Sequence, residues 1–297
     1  MAEPELRPAR EIVVIGAGRM GFPIARRLAD SGEHVHIVDV DPVRRTLAAD
    51  FASSVSADID AVTRSDVVVT VLPDVRSFEA VSFADDGLIN RLRPGAVWID
   101  LTSNDPRVAA RAAGAHRSGA FVGAPMGGGP SQASDGTLTF WVGADDTALD
   151  AALPFLTVLA RTDGIQHVGN IVTDGYMFKL LSNALWFSQV AAVSEAMAIA
   201  ARSDIPLERF APLLGASAAR SSFTDEYVPR LLTGDYVESF SFARCVEELE
   251  LVDQLAQDVE VVAPTLGASF EVHRRALERY GPLYGEMLAA RVQLDGL

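Results

Sequence analysis

EIVVIGAGRMG, residues 11–21, runs from an apolar, β-branched stretch straight into a glycine-spaced turn. Gly16 permits the tight turn, Gly18 lets a pyrophosphate come against bare backbone, and Gly21 lets helix and strand pack closely. Free N–H groups at the helix start would face the phosphates. The helix candidate Met20–Ser31 opens at that point. The next strand candidate, His34–Asp39, ends on a carboxylate 18 residues after Gly21. Asp39 at that place accepts hydrogen bonds from ribose hydroxyls and repels a 2′-phosphate, so the reading is a dinucleotide site that takes NAD in preference to NADP. Arg44 and Arg45 weigh the other way, since a guanidinium could reach a 2′-phosphate.

Outward from this stretch the pattern repeats. Strand candidates Val67–Leu72, Ala96–Asp100, Ala120–Ala124, Thr137–Val142 and Gly164–Val168 are spaced by helix candidates Pro42–Ala52, Pro106–His116 and Asp146–Leu159. Such alternation predicts parallel strands joined by crossover helices, hence a doubly wound α/β domain. Beyond residue 170 the strand signal ends. Asp174–Arg202 reads as one long helix, followed by Leu207–Gly215, Phe240–Gln257, Thr265–Tyr280 and Gly285–Val292. A boundary near Gly169–Asn170 therefore separates a dinucleotide-binding domain (1–169) from an all-helical domain (170–297).

Composition narrows the function classes. With 25 basic and 40 acidic residues the net charge is −15, unlike the basic surfaces that nucleic acids and anionic membranes select. No run approaches 18 uninterrupted apolar residues, and the polar start MAEPELRPAR has no signal-peptide pattern, so a cytoplasmic protein is expected. Five His and a single Cys offer no zinc cluster and no internal disulfide. His167 and Cys245 have no partner pattern and read as structural.

Three further constellations carry chemistry. Asp100-Leu101-Thr102-Ser103-Asn104-Asp105-Pro106 places hydroxyls directly after a strand, at the sheet edge where open α/β folds bind ligands. Pro125-Met126-Gly127-Gly128-Gly129-Pro130 is a glycine run whose N–H groups could cradle an oxygen anion. On the long helix, Gly175, Lys179 and Asn183 recur every four residues and so share a face. Of the 25 basic residues 24 are Arg, and the one Lys of the chain is Lys179. Lys, unlike Arg, can give up a proton when neighbouring apolar groups desolvate it.

Taken together these residues resemble the β-hydroxyacid dehydrogenases, over roughly residues 10 to 285. The likeness rests on Gly16, Gly18, Met20 and Gly21 of the opening turn, and on Asp100, Thr102, Ser103 and Pro106. The glycine loop with its following Gly136-Thr137-Leu138-Thr139, and Gly175, Lys179 and Asn183, complete it. The resemblance implies an N-terminal Rossmann domain, a helical domain, and an active site in the cleft between them. It implies Lys179 as the acid/base and Asn183 as the residue that holds the substrate. Cofactor contacts would come from Gly16, Gly18, Arg19, Met20, Gly21, Asp39, Leu72, Pro73 and Thr102. Substrate contacts would come from Thr102, Gly127, Gly128, Gly129, Lys179 and Asn183. The implied ligands are NAD and a small hydroxy acid or semialdehyde, and the implied assembly is a homodimer or homotetramer.

Two positions depart from the family's pattern. Gly127 stands where the family usually has a Ser for the substrate carboxylate, and Glu247-Glu248-Leu249 stands where it has Lys-Asp-Leu. These changes predict that a carboxylate is held by the backbone of Gly127 and Gly128. They also predict that a bulkier or less anionic β-hydroxy compound fills the space the Ser leaves. An imine reductase shares the architecture but leads one to expect Asp or Tyr at position 179. A non-catalytic dinucleotide-binding protein needs neither Lys179 nor Asn183.

Overall fold

The computed structural model describes residues 9–116 and 119–295; the polar segment at residues 1–8 lies outside them. Strands β1 (Glu11–Ile15), β2 (His34–Val38), β3 (Ser54–Ser56), β4 (Val67–Thr70), β5 (Val97–Asp100) and β6 (Ala120–Gly123) pair in parallel in the order 3-2-1-4-5-6. Strands β7 (Met126–Gly127), β8 (Leu138–Gly143) and β9 (Ala160–Gly169) extend the sheet beyond β6. The register places Ile15, Val38 and Thr70 side by side at the carboxyl edge, with Asp100 and Gly123 beyond. The strand order reverses between β1 and β4, which is where the glycine turn emerges.

Both faces of the sheet are covered, which explains the unbroken apolar runs. Ile12, Val14, Val67, Val69 and Ile99 pack under helices Gly21–Asp30 and Asp146–Leu159, against Ile24, Leu28, Phe155 and Leu156. Val13, Ile15, Val68 and Trp98 point the other way, against Phe78, Leu88, Val108 and Ala112. The helix Val75–Phe83, which supplies Phe78, is absent from the sequence reading.

The expectation of parallel strands throughout fails at β8. It runs antiparallel to β6 and β7, and only its pairing with β9 is parallel. Between β7 and β8 the chain forms just the six-residue helix Pro130–Asp135, so it turns back instead of crossing over.

The chain packs as two compact units that divide between Lys179 and Leu180, ten residues past the glycine boundary read from the sequence. The first turns of the long helix, Val172–Arg202, belong to the first unit because Tyr176 is fully buried there. By length and composition this helix could cross a membrane, yet Tyr176, Leu180, Phe187, Val190 and Met197 are buried in the protein's own core. The second unit is helical, with Leu207–Gly215, Val228–Leu232, Phe242–Asp258, Pro264–Tyr280 and short turns at Leu288–Ala290 and Arg291–Leu294. The helix expected at Gly285–Val292 is therefore displaced toward the C-terminus, while the segment 223–232 is helical without having been expected.

Candidate active site

At the mouth of β1 the glycines do what their spacing requires. Gly16 has φ +97°, and a Cβ there would collide with the Val71 carbonyl. A Cβ on Gly21 would collide with the Gly16 carbonyl, whereas one on Gly18 would meet nothing within 4 Å. The turn is thus tight at both ends and open in the middle, where a dinucleotide's pyrophosphate would approach. Asp39 secures this turn: its Oδ2 accepts from the Ala17 N–H at 2.7 Å and its Oδ1 from the Asp41 N–H at 2.8 Å. Spare lone pairs on the carboxylate are what ribose hydroxyls would use. Arg45 donates to the carbonyls of Asp39 at 2.7 Å and Val40 at 3.0 Å, which ties one of its amino groups to the chain. Residues and geometry fit a nicotinamide dinucleotide.

The neighbouring strand ends meet this turn. The Thr102 hydroxyl accepts from the Leu72 N–H at 3.1 Å, joining the loops after β5 and β4. Thr102 is buried, while Pro73 is exposed beside it. Behind them Asp100 is wholly buried and accepts from Thr70 Oγ1 at 2.7 Å and Tyr176 Oη at 2.8 Å. Trp98 Nε1 donates to Thr70 at 3.0 Å and Asn104 Nδ2 to Asp100 at 3.3 Å, completing a closed polar network. Burial pushes the Asp100 carboxyl up, against the lowering effect of these donors, and burial beside Asp100 pushes the Tyr176 phenol well up. Tyr176 therefore stays a donor, and its bond pins the long helix to the sheet edge.

Glycines make the pinning close. A Cβ on Gly175 would lie 2.9 Å from both Gly123 O and Gly143 N, and nearer still to Trp141 O. A Cβ on Gly123 would lie 2.5 Å from the Tyr176 ring, and one on Gly143 2.5 Å from Ile171 O. The helix backbone thus rests directly on the ends of β6 and β8. One turn after Gly175, the Lys179 Nζ lies 5.2 Å from the centre of the Trp141 ring, in the range of a cation–π contact. Phe178 packs on the same indole at 5.5 Å.

The glycine loop differs from expectation in two ways. The space that Ser would leave at Gly127 is not vacant: a Cβ there would lie 2.6 Å from Cη2 of Trp141. The anion cradle is also incomplete, because the Gly129 N–H is donated to Gln132 Oε1 at 2.9 Å. Gly128, with φ +111°, is exposed. Arg19 and Met20 lie where the turn enters the helix Gly21–Asp30, Met20 as its N-cap.

Asn183 continues the long helix into the second unit. Its Nδ2 donates at 2.6 Å to Glu248 Oε2, on the buried side of Phe242–Asp258. A carboxylate can only accept, so the amide group must face Glu248 and Asn183 Oδ1 remains the acceptor for a ligand hydroxyl. Glu248 Oε1 is buried with no hydrogen-bond partner. Glu247 is half-exposed and pairs with Arg244. Cys245 is buried, its thiol pushed well up by burial, and His167 bonds the Ala144 carbonyl at 2.8 Å; both are structural, as expected. Sequence reasoning did not find the contacts of Trp141, Tyr176 or Glu248. A signal existed for Trp141: alternation in TLTFWV puts it on the face opposite the buried Leu138, Phe140 and Val142.

Strand order, glycine turn and strand-end carboxylate define a dinucleotide-binding α/β protein with a helical second unit. Residues 11–173 match the NAD-binding domain of 6-phosphogluconate dehydrogenase. Residues 173–292 match the NAD-binding family of NADP-dependent 3-hydroxyisobutyrate dehydrogenase, and the chain belongs to the β-hydroxyacid dehydrogenases that join these two domains. It is 29% identical over 280 residues to the NAD-dependent L-serine dehydrogenase of Pseudomonas aeruginosa, covering 91% of this chain and 93% of that one. It is 27% identical over 260 residues to the 2-hydroxy-3-oxopropionate reductase of Escherichia coli, covering 87% and 88%. In fold it is similar to the 3-hydroxyisobutyrate dehydrogenase of Mycobacterium tuberculosis, with a TM-score of 0.83, 23% identity, and 96% and 100% of the two chains covered. The protein is accordingly an NAD(P)-dependent oxidoreductase acting on the CH–OH group of hydroxy acids.

Proposed function

We propose that this enzyme interconverts a small β-hydroxy acid and its aldehyde or ketone with NAD(H), with Lys179 as the proton donor and acceptor. The observation that carries the reading is the placement of Lys179. The one lysine of an otherwise Arg-only chain stands one turn beyond the Gly175 contact and beside the indole of Trp141. A nicotinamide dinucleotide held at the Gly16–Gly21 turn and Asp39 would supply or accept the hydride. Lys179 Nζ gives a proton to the carbonyl oxygen in reduction and removes it from the hydroxyl in oxidation. Asn183, its amide held by Glu248, keeps Oδ1 for a donor on the substrate other than the reacting hydroxyl, whose single proton goes to Lys179. The Gly127 N–H is spent in the ladder opposite Thr139 and the Gly129 N–H on Gln132, so the loop's backbone donor for a carboxylate is Gly128, and the Asp100–Tyr176 bond keeps the helix that bears Lys179 in register.

Asp39 supports NAD over NADP, and Lys at position 179 supports a carbonyl substrate over an imine. The lone thiol of Cys245, buried and unpaired with another cysteine, suits a reducing cytoplasm. Ile199, Leu213, Val259 and Val262 are exposed on the helical unit, apolar surface that a homodimer or homotetramer would cover.

A fluorescence screen for NADH formation with short β-hydroxy acids, and for its consumption with semialdehydes and imines, tests the reading. Lys179→Arg should be nearly as inactive as Lys179→Ala, about 10²–10⁴-fold below the parent, because Arg keeps the charge but cannot surrender the proton. Turnover of imines alone, or an Arg variant with most of its activity, would overturn the assignment.

A further inference from the structure

We propose that Trp141 determines the substrate specificity of this enzyme, by filling the place of a side chain at position 127 with an aromatic wall beside Lys179. The proposal rests on the reading of Lys179 as the proton-transferring group. Gly127 and Trp141 lie on adjacent antiparallel strands, with Gly127 opposite Thr139 and Trp141 two residues further along the same face. That diagonal relation is within reach of a large aromatic side chain. The indole uses it fully: a Cβ at position 127 would lie 2.6 Å from Cη2 and 3.1 Å from Cζ3. Gly127 and Trp141 are thus a complementary pair, and a serine at position 127 would have to displace the indole edge.

The indole has a fixed root. The Trp141 N–H donates to Pro125 O at 3.1 Å, and its carbonyl lies directly beneath Gly175. Its ring contacts Lys179 and Phe178. Where the family's pattern supplies a hydroxyl to bind an anion, this chain therefore presents an apolar edge, and the Gly129 N–H is occupied by Gln132. A polar or charged substituent placed there would lose its water without gaining a donor, whereas an apolar one would pack. The structure assigns to this site a β-hydroxy acid, or its carbonyl counterpart, whose substituent beside Lys179 is apolar, branched or flat. A second carboxylate or hydroxyl at that place is disfavoured.

The test is a double-mutant cycle over a panel of β-hydroxy acids of equal chain length bearing isopropyl, phenyl, hydroxymethyl or carboxylate substituents. The parent should favour the first two, Trp141→Leu should cut that preference tenfold or more, and Gly127→Ser alone should impair every member. Gly127→Ser combined with Trp141→Leu should recover activity and favour the polar members. An apolar-to-polar ratio of kcat/KM unchanged in folded Trp141→Leu would overturn the proposal. Failure of the whole panel to turn over would overturn the reaction reading instead. Indole fluorescence then still decides Trp141: apolar acids should quench emission in the parent and not in Trp141→Phe, and equal quenching in both would refute its role.

Discussion

Gly175→Ala places one methyl group where the long helix meets the sheet. The added carbon would sit 2.9 Å from Gly123 O and Gly143 N, and ordinary contact begins at 3.4 Å. The helix start must therefore back away by about 0.5 Å from those strand atoms, and further to clear the Trp141 carbonyl. Overpacking of this kind costs about 1–3 kcal/mol, against a gain of about 0.8–1.0 kcal/mol in helix propensity from losing a glycine. The net expectation is a loss of about 0–2 kcal/mol, read as a urea midpoint no higher than the parent's with unchanged slope. Lys179 moves with the helix, and a displacement approaching 1 Å costs about 10²-fold in turnover. Gly267→Ala, in the helix Pro264–Tyr280, is the control: a Cβ there meets nothing within 4 Å, so it should stabilise by about 1 kcal/mol. If the two variants shift the midpoint alike, or Gly175→Ala keeps full kcat/KM, the close contact is not what positions Lys179.

Cofactor choice and acid stability give two further expectations. Asp39 should make kcat/KM higher with NAD than with NADP, and Asp39→Ala should narrow the gap while weakening NAD through the lost Ala17 contact; a parent enzyme at least as efficient with NADP would show that Arg44 or Arg45 overrides the carboxylate. His273 is fully buried between Phe187 and Phe242, and burial lowers its pKa from 6.5 to about 4. The unfolded chain therefore binds this proton more readily than the folded one. The stability His273 contributes is complete above pH 6.5 and lost as pH falls toward 4, by about 3 kcal/mol in all. Urea unfolding at pH 7 and pH 5 should show about 2 kcal/mol of that loss in the parent and not in His273→Leu; equal pH dependence in both would refute it.

Much of this molecule is decided by chemistry that acts over a few residues. The alternation of Ile12, Val13, Val14 and Ile15 between two covered faces, the turn at Gly16–Gly21 and the carboxylate at Asp39 are local consequences of backbone geometry. So is the common face of Gly175, Lys179 and Asn183, which follows from helical periodicity. These features, and with them the dinucleotide site and the lysine, are legible in the amino-acid order alone. The contacts made between distant parts of the chain are of another kind. Tyr176 meets Asp100 across 76 positions, and Asn183 meets Glu248 across 65. Trp141 occupies the space at Gly127 only because β8 turns back antiparallel to a strand of two residues. A glycine in place of a serine reads as lost volume along the chain. Close packing assigns that volume to whichever side chain the fold brings alongside, and here it is an indole, which only the tertiary structure could decide.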